Sequence, residues 1–208
     1  MSTLKQNTAI NSQYKHILII PSAAYLPFEC PMSGIFERDQ ALILKDAGFQ
    51  VGIIDINFRS LRYFFNRKAW IRKGFERDKA DAIPVYHFSN WNWYVRLHLI
   101  IGWRWVNRGY KVLRRYMAEL GTPDIIHCHN SLYSGFLAHR IKSEFGIPYI
   151  VTEHSSSFVE GFYPKVFKSK IGKVYHYADA LLAVSPNLGE FWRRCFKILQ
   201  VIGNGSPM

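Results

Sequence analysis

Three short runs in this sequence put reactive or ligand-holding side chains where a strand gives way to a loop. Ser33-Gly34 precedes a helical pattern, His127-Cys128-His129-Asn130 ends an apolar run, and Glu153-His154-Ser155-Ser156-Ser157 ends another. An imidazole titrates near pH 6.5, so His154 can orient a substrate hydroxyl or accept its proton under neutral conditions. Ser155 and the two serines after it offer hydroxyls to sugar or phosphate oxygens, beside the carboxylate of Glu153. A glycine such as Gly34 lets backbone approach a ligand, and the helix it opens presents unpaired N–H groups suited to a phosphate. The plainer alternatives are a Ser33 cap on a helix and a satisfied loop histidine at 154. His127 and His129 are two apart on a strand and share a face. The reading is one packed histidine and one, His129, that lines a cleft with Asn130. A shared zinc is the weaker alternative, because no carboxylate or paired cysteine completes a ligand set. No metal is expected.

Other signatures are missing from these runs. There is no GxGxxG after the first strand, which argues against a nicotinamide or flavin domain, and no G-x-S-x-G for a hydrolase nucleophile. Glu29 and Glu37 have seven residues between them but flank the first loop, a coincidence to discount.

The elements that must hold these runs alternate. His16-Ile17-Leu18-Ile19-Ile20 reads as a strand buried on both faces. A helix follows from Ile35, with Phe36, Ile43, Leu44 and Ala47 on one face and Gly48 as its stop. Further strands are expected at 50–56, 83–88, 124–129, 148–152, 180–184 and 199–202, with helices at 94–120, 132–145, 166–177 and 186–196. Such alternation implies right-handed crossovers and an α/β, mostly parallel sheet of about seven strands.

Composition narrows the setting. The 208 residues, 49 % of them apolar, suffice for one sizeable domain and argue against bulk disorder. No apolar run reaches the roughly 18 residues of a spanning helix. Residues 1–15 are polar, lack the core of a secretory signal and read as a flexible tail. Cys30, Cys128 and Cys195 are odd in number and far apart, so a reducing cytoplasm is the expected setting. The net charge of +12 asks for an anionic partner. Arg62, Arg67, Arg96, Arg104 and Arg108 are interleaved with Phe64, Trp70, Trp93, Tyr94 and Trp103. That mixture is what an interfacial membrane surface uses. An anionic membrane face is therefore weighed against a solvated basic helix, and nucleic acid is not expected.

Six motifs fall in one order. They are Gly34-Ile35-Phe36-Glu37-Arg38-Asp39-Gln40-Ala41, Ala47-Gly48-Phe49-Gln50-Val51, Pro123-Asp124-Ile125-Ile126-His127-Cys128-His129, Gly146-Ile147-Pro148-Tyr149-Ile150-Val151-Thr152-Glu153-His154-Ser155, Ala178-Asp179-Ala180 with Ala183-Val184-Ser185, and Val201-Ile202-Gly203-Asn204-Gly205. In this order they resemble the N-terminal, acceptor-binding domain of family-4 glycosyltransferases, retaining enzymes of the GT-B fold. The resemblance runs over 16–205 and implies a Rossmann-like three-layer α/β/α domain. It implies that Gly34, with Ser33, lies near the donor diphosphate and the acceptor. It also implies that His154 is the active-site histidine contacting the transferred sugar, with His129 and Asn130 in the cleft; Glu153 and Ser155, from the residues themselves, are expected as further substrate contacts. A nucleoside-diphosphate sugar is then the donor substrate, with no resident cofactor, and the acceptor is a hydroxyl of a glycan or lipid-linked molecule. Gly203 stands where the family commonly has proline. In the family a C-terminal donor domain follows Asn-Gly; here only Ser206-Pro207-Met208 does. The expectation is an inactive half, cytoplasmic or peripheral on the inner membrane face, serving cell-envelope or exopolysaccharide glycan synthesis. The rival readings are a non-catalytic membrane-associated module, completed by a separate donor-domain chain, and a GT-B epimerase.

Overall fold

The structure, a computed structural model, describes residues 15–22, 25, 34–66, 73–154, 165–184, 190 and 202–203. Eight strands make one sheet: β1 (His16–Ile20), β2 (Gln50–Arg59), β3 (Gly74–Ala80), β4 (Ile83–Trp91), β5 (Ile125–His129), β6 (Tyr149–Glu153), β7 (Ala180–Ala183) and β8 (Ile202–Gly203). They lie in the order β3-β4-β2-β1-β5-β6-β7-β8, every pairing parallel except that of β3 with β4. Four helices are described: α1 (Ile35–Asp46), α2 (His98–Leu120), α3 (Phe136–Phe145) and α4 (Lys168–Tyr177).

Period-two alternation splits the strand side chains between two cores. Leu18, Ile20, Ile54, Ile126 and Val151 pack under Leu113 of α2, Leu137 and Ile141 of α3 and Ile171 of α4. Ile17, Ile19, Val51, Ile53 and Val85 form the opposite core with Ala41 of α1. Helices thus cover both faces, which is why β1 reads as an unbroken apolar run. The domain is α/β, three-layered and mostly parallel.

Two motif aspartates stitch the lower edge of this sheet. Asp124 Oδ2 accepts from the backbone N–H groups of Lys15 and His16, both at 2.8 Å, and Asp179 Oδ2 from that of Tyr149 at 2.9 Å. Each holds the start of a neighbouring strand, at the amino ends of β1 and β6. Nearby, Tyr116 of α2 meets His16 Nε2 at 2.5 Å through its hydroxyl and lies over Gly52, where an added Cβ would come within 2.0 Å of that oxygen.

Several elements differ from expectation. The inward stripe of α1 is Glu37, Ala41 and Leu44, whereas Phe36 and Ile43 are each 66 % exposed. The Glu37 carboxylate turns in to meet Ser22. β3 was not expected. It is a charged edge strand reached through a two-residue turn at Asp81 and Ala82, both with positive φ (53° and 63°). Lys45 of α1 donates to the Asp81 carbonyl at 2.7 Å and fixes the tip of this hairpin. α2 begins at His98 and α3 at Phe136, the latter behind an irregular turn, Ser131–Gly135. The helix expected at 186–196 lies outside the described residues apart from Glu190, and the strand expected at 199–202 is seen only at β8.

Candidate functional site

β1 stands where the strand order reverses. The chain leaves it to one side through β2, β4 and β3, and returns on the other through β5 to β8. Crevices outside the carboxyl ends at such a point are where open α/β sheets hold ligands. His129 ends β5 and His154 follows β6, directly beside it.

Alternation along the two strands turns His127, His129, Thr152 and His154 to the α1 side. The His127 and His129 rings are 4.5 Å apart between centroids, and those of His129 and His154 5.1 Å apart at only 10°. His129 Nδ1 lies 2.8 Å from His154 Nε2, and His127 Nε2 lies 2.7 Å from the Thr152 hydroxyl. Asn130, at φ 65°, accepts the His154 backbone N–H on Oδ1 at 2.8 Å. Asparagine visits the left-handed region more readily than other side-chain-bearing residues. One bond therefore ties the turn after β5 to the turn after β6.

The first loop arrives at the same place. Gly34, at φ 74°, starts α1 in a left-handed conformation that suits glycine. In the next turn the exposed ring of Phe36 stacks on His154 at 6.0 Å and 20°. Glu37 is buried beside it and accepts the Ser22 hydroxyl at 2.8 Å, in the first turn, where the helix dipole favours an anion. The α1 entry and His154, far apart in the chain, thus share one rim.

Burial dominates the electrostatics. It lowers the pKa of His127 to about 4, helped by charge repulsion from His154. It holds His129 well below its ordinary value, with His127 and His154 adding repulsion. His154 is also lowered by burial, and the Glu37 carboxylate partly offsets this. Near neutral pH all three rings are uncharged. Among the described residues no group of His, Cys, Asp or Glu is arranged to hold a metal ion.

Of the expected site residues, the structure describes all but two. His154, Asn130 and Gly34 come together at the rim. His129 is there too, but it is fully buried against His154 rather than lining the surface. Glu153 requires correction as a substrate contact. It alternates to the other face, where Oε2 accepts from Ser131 N–H at 2.9 Å and from Tyr175 of α4 at 3.0 Å, and it supports the Asn130 turn from behind. Ser33 and Ser155 lie outside the described residues. Phe36 and Glu37 were missed as site residues, although a carboxylate in the first turn after a loop glycine was a usable signal. Also missed was the fully buried Asp55–His87 pair of β2 and β4, joined at 2.9 Å. Its signal is a lone acid inside Ile53-Ile54-Asp55-Ile56, which must find a partner when buried.

Comparison with known proteins agrees with this architecture. The profile of Glycosyltransferase Family 4 matches residues 44–206. A Bacillus subtilis (strain 168) protein, which carries the name teichuronic acid biosynthesis glycosyltransferase TuaC, is 28 % identical over 172 residues, 77 % of this chain and 42 % of that one. Among solved structures, the catalytic domain of starch synthase IV from Arabidopsis thaliana, bound to ADP and acarbose, superposes with a TM-score of 0.55 at 14 % identity, covering 92 % of this chain and 52 % of that one. An E. coli structure titled trehalose-6-phosphate, bound with UDP-2-fluoro glucose, gives 0.52 at 12 % identity, covering 90 % and 48 %. At such identity the superpositions speak for the fold alone, and the chain spans about half the length of these proteins. The chain belongs to Glycosyltransferase Family 4 and has the α/β fold of that family's N-terminal domain.

Proposed function

We propose that this chain is the acceptor-binding half of a retaining, nucleotide-sugar-dependent glycosyltransferase acting in cell-envelope or exopolysaccharide glycan synthesis. The observation that carries the reading is the meeting of the Gly34–Glu37 turn with His154 at the point of strand reversal. A neutral imidazole there suits the hydroxyls of a sugar, and the α1 entry offers backbone N–H groups to a diphosphate. Catalysis would rest on holding donor and acceptor in line and on stabilising charge at the departing diphosphate. The donor is a nucleoside-diphosphate sugar and no resident cofactor takes part. Most of the donor site belongs to a second domain, in the same or a separate chain.

The test is turnover with a panel of nucleoside-diphosphate sugars and hydroxyl acceptors. Residues 1–208 alone should give little or no product, and supplying a family donor domain should restore transfer. In that complemented enzyme His154→Ala should lower kcat/KM by about 100-fold or more. Robust transfer by residues 1–208 alone, or full activity of the variant, overturns the reading.

A peripheral membrane contact is supported by a separate observation. Phe64 packs on Trp91 and Trp93, with ring centroids 5.3 and 5.7 Å away, and Arg104 lies over Tyr94 at 4.9 Å. Phe65, Trp93, Val95, Leu97, Leu99 and Trp103 are more than half exposed around them. Among the described residues no helix is long and apolar enough to cross a membrane, so an interfacial mode is the one this surface suits.

A further inference from the structure

His129 and His154 share one hydrogen bond, and the burial of one nitrogen says which way it runs. The rings are nearly coplanar, and their 5.1 Å centroid separation is close to the 2.8 Å N···N distance plus two ring radii. That is the geometry of an in-line hydrogen bond rather than of face-to-face stacking. Each neutral ring carries one N–H, so two arrangements exist. If His154 donates from Nε2, then His129 accepts at Nδ1 and must carry its own proton on Nε2. If His129 donates from Nδ1, then its Nε2 is bare and His154 carries its proton on Nδ1.

His129 Nε2 is buried and, among the described residues, has no hydrogen-bond partner. The first arrangement would leave an orphaned buried N–H there, whereas the second leaves only an unused lone pair. Orphaned buried donors are the rarer defect. The groups facing the pair agree. His127 Nε2 is engaged with the Thr152 hydroxyl, Asn130 has its Oδ1 committed to the His154 backbone, and Glu37 of α1 sets a negative charge near His154.

We propose that His129 is a positioning residue that locks His154 in the Nδ1–H tautomer, so that His154 meets a substrate oxygen as a hydrogen-bond donor and not as a base. The tautomer follows from the geometry alone; the substrate oxygen rests on the function proposed above. A sugar hydroxyl or carbonyl oxygen is the matching group. The lock also resists acid. A second proton would have to enter at His154 Nε2, where the His129 N–H already points, and would force that proton round to the orphan position.

Long-range proton–nitrogen correlation on residues 1–208 labelled with nitrogen-15 histidine reads the tautomer directly, without substrate. Near neutral pH, His154 should show a protonated Nδ1 and a bare Nε2, and His129 the same pattern. The reverse pattern in the unaltered protein overturns the proposal, whatever the variants do. His129→Asn, whose amide N–H replaces the Nδ1 donor, should preserve the His154 pattern. His129→Asp, which offers only an acceptor, should move the His154 proton to Nε2 and raise its pKa; a folded His129→Asp protein with His154 unchanged also overturns it. Failure of transferase activity would count against the proposed function and leave this assignment standing.

Discussion

His127 lies between Thr152 and His129 with almost no access to water, and its pKa falls to about 4. In the unfolded chain the same ring protonates near pH 6.5. Between those values the unfolded chain takes up a proton that the folded one refuses. The stabilisation is therefore complete above pH 6.5 and is lost as pH falls from there to about 4, by about 3 kcal/mol for this ring alone. His129 and His154 are shifted in the same direction and steepen the loss. Urea unfolding midpoints should accordingly drop between about pH 7 and about pH 5. His127→Gln keeps a nitrogen for Thr152 but does not titrate, so it should flatten that drop. An equal slope in wild type and variant would refute the assignment. At this scale the sequence showed which residue types gather at the strand ends. It hid Glu153, because whether a side chain faces crevice or core depends on a one-residue register that only the folded β6 displays.

The β3–β4 hairpin turns through Asp81 and Ala82, both left-handed, the geometry that asparagine or aspartate followed by glycine prefers. Aspartate fits the first position. Alanine at the second carries a steric penalty, because its Cβ crowds the following carbonyl. Ala82→Gly should raise stability by up to about 1 kcal/mol, the relief being partly offset by the flexibility of glycine when unfolded. Thermal melts with a lower midpoint for the variant would contradict this geometry. β3 itself was illegible because Gly74-Phe75-Glu76-Arg77-Asp78-Lys79 has charges where a buried strand has apolar residues, as edge strands do. The central strands were legible for the opposite reason: burial on both faces leaves an unbroken apolar run. α1 misled because the face buried by its neighbours contains an acid, and a hydrophobic stripe does not announce a paired carboxylate. The start of α3 was misjudged because the apolar pattern continues through a turn in which Tyr133 has φ 62°.

The whole molecule combines a charge of +12 with an aromatic surface around the start of α2. If this surface meets an anionic bilayer, cosedimentation with vesicles should be strong at low salt, weaker at high salt, and weak with neutral lipid. Each arginine near such a surface contributes about 1 kcal/mol, so Arg104→Ala should cost about fivefold in partitioning, and Trp103→Ser should lower it further. Equal binding to neutral and anionic vesicles would remove the electrostatic part. The strand order has a kinetic consequence as well. The β3–β4 hairpin closes between neighbours in the chain, but β1 must wait for β5, more than a hundred residues later, before His16 can reach Asp124. Contacts that distant close slowly. The rim unites β1, α1, β5 and β6, so during synthesis it waits for β6, and a nascent chain that has not yet extruded that strand has a growing hairpin but no His154 to close the crevice.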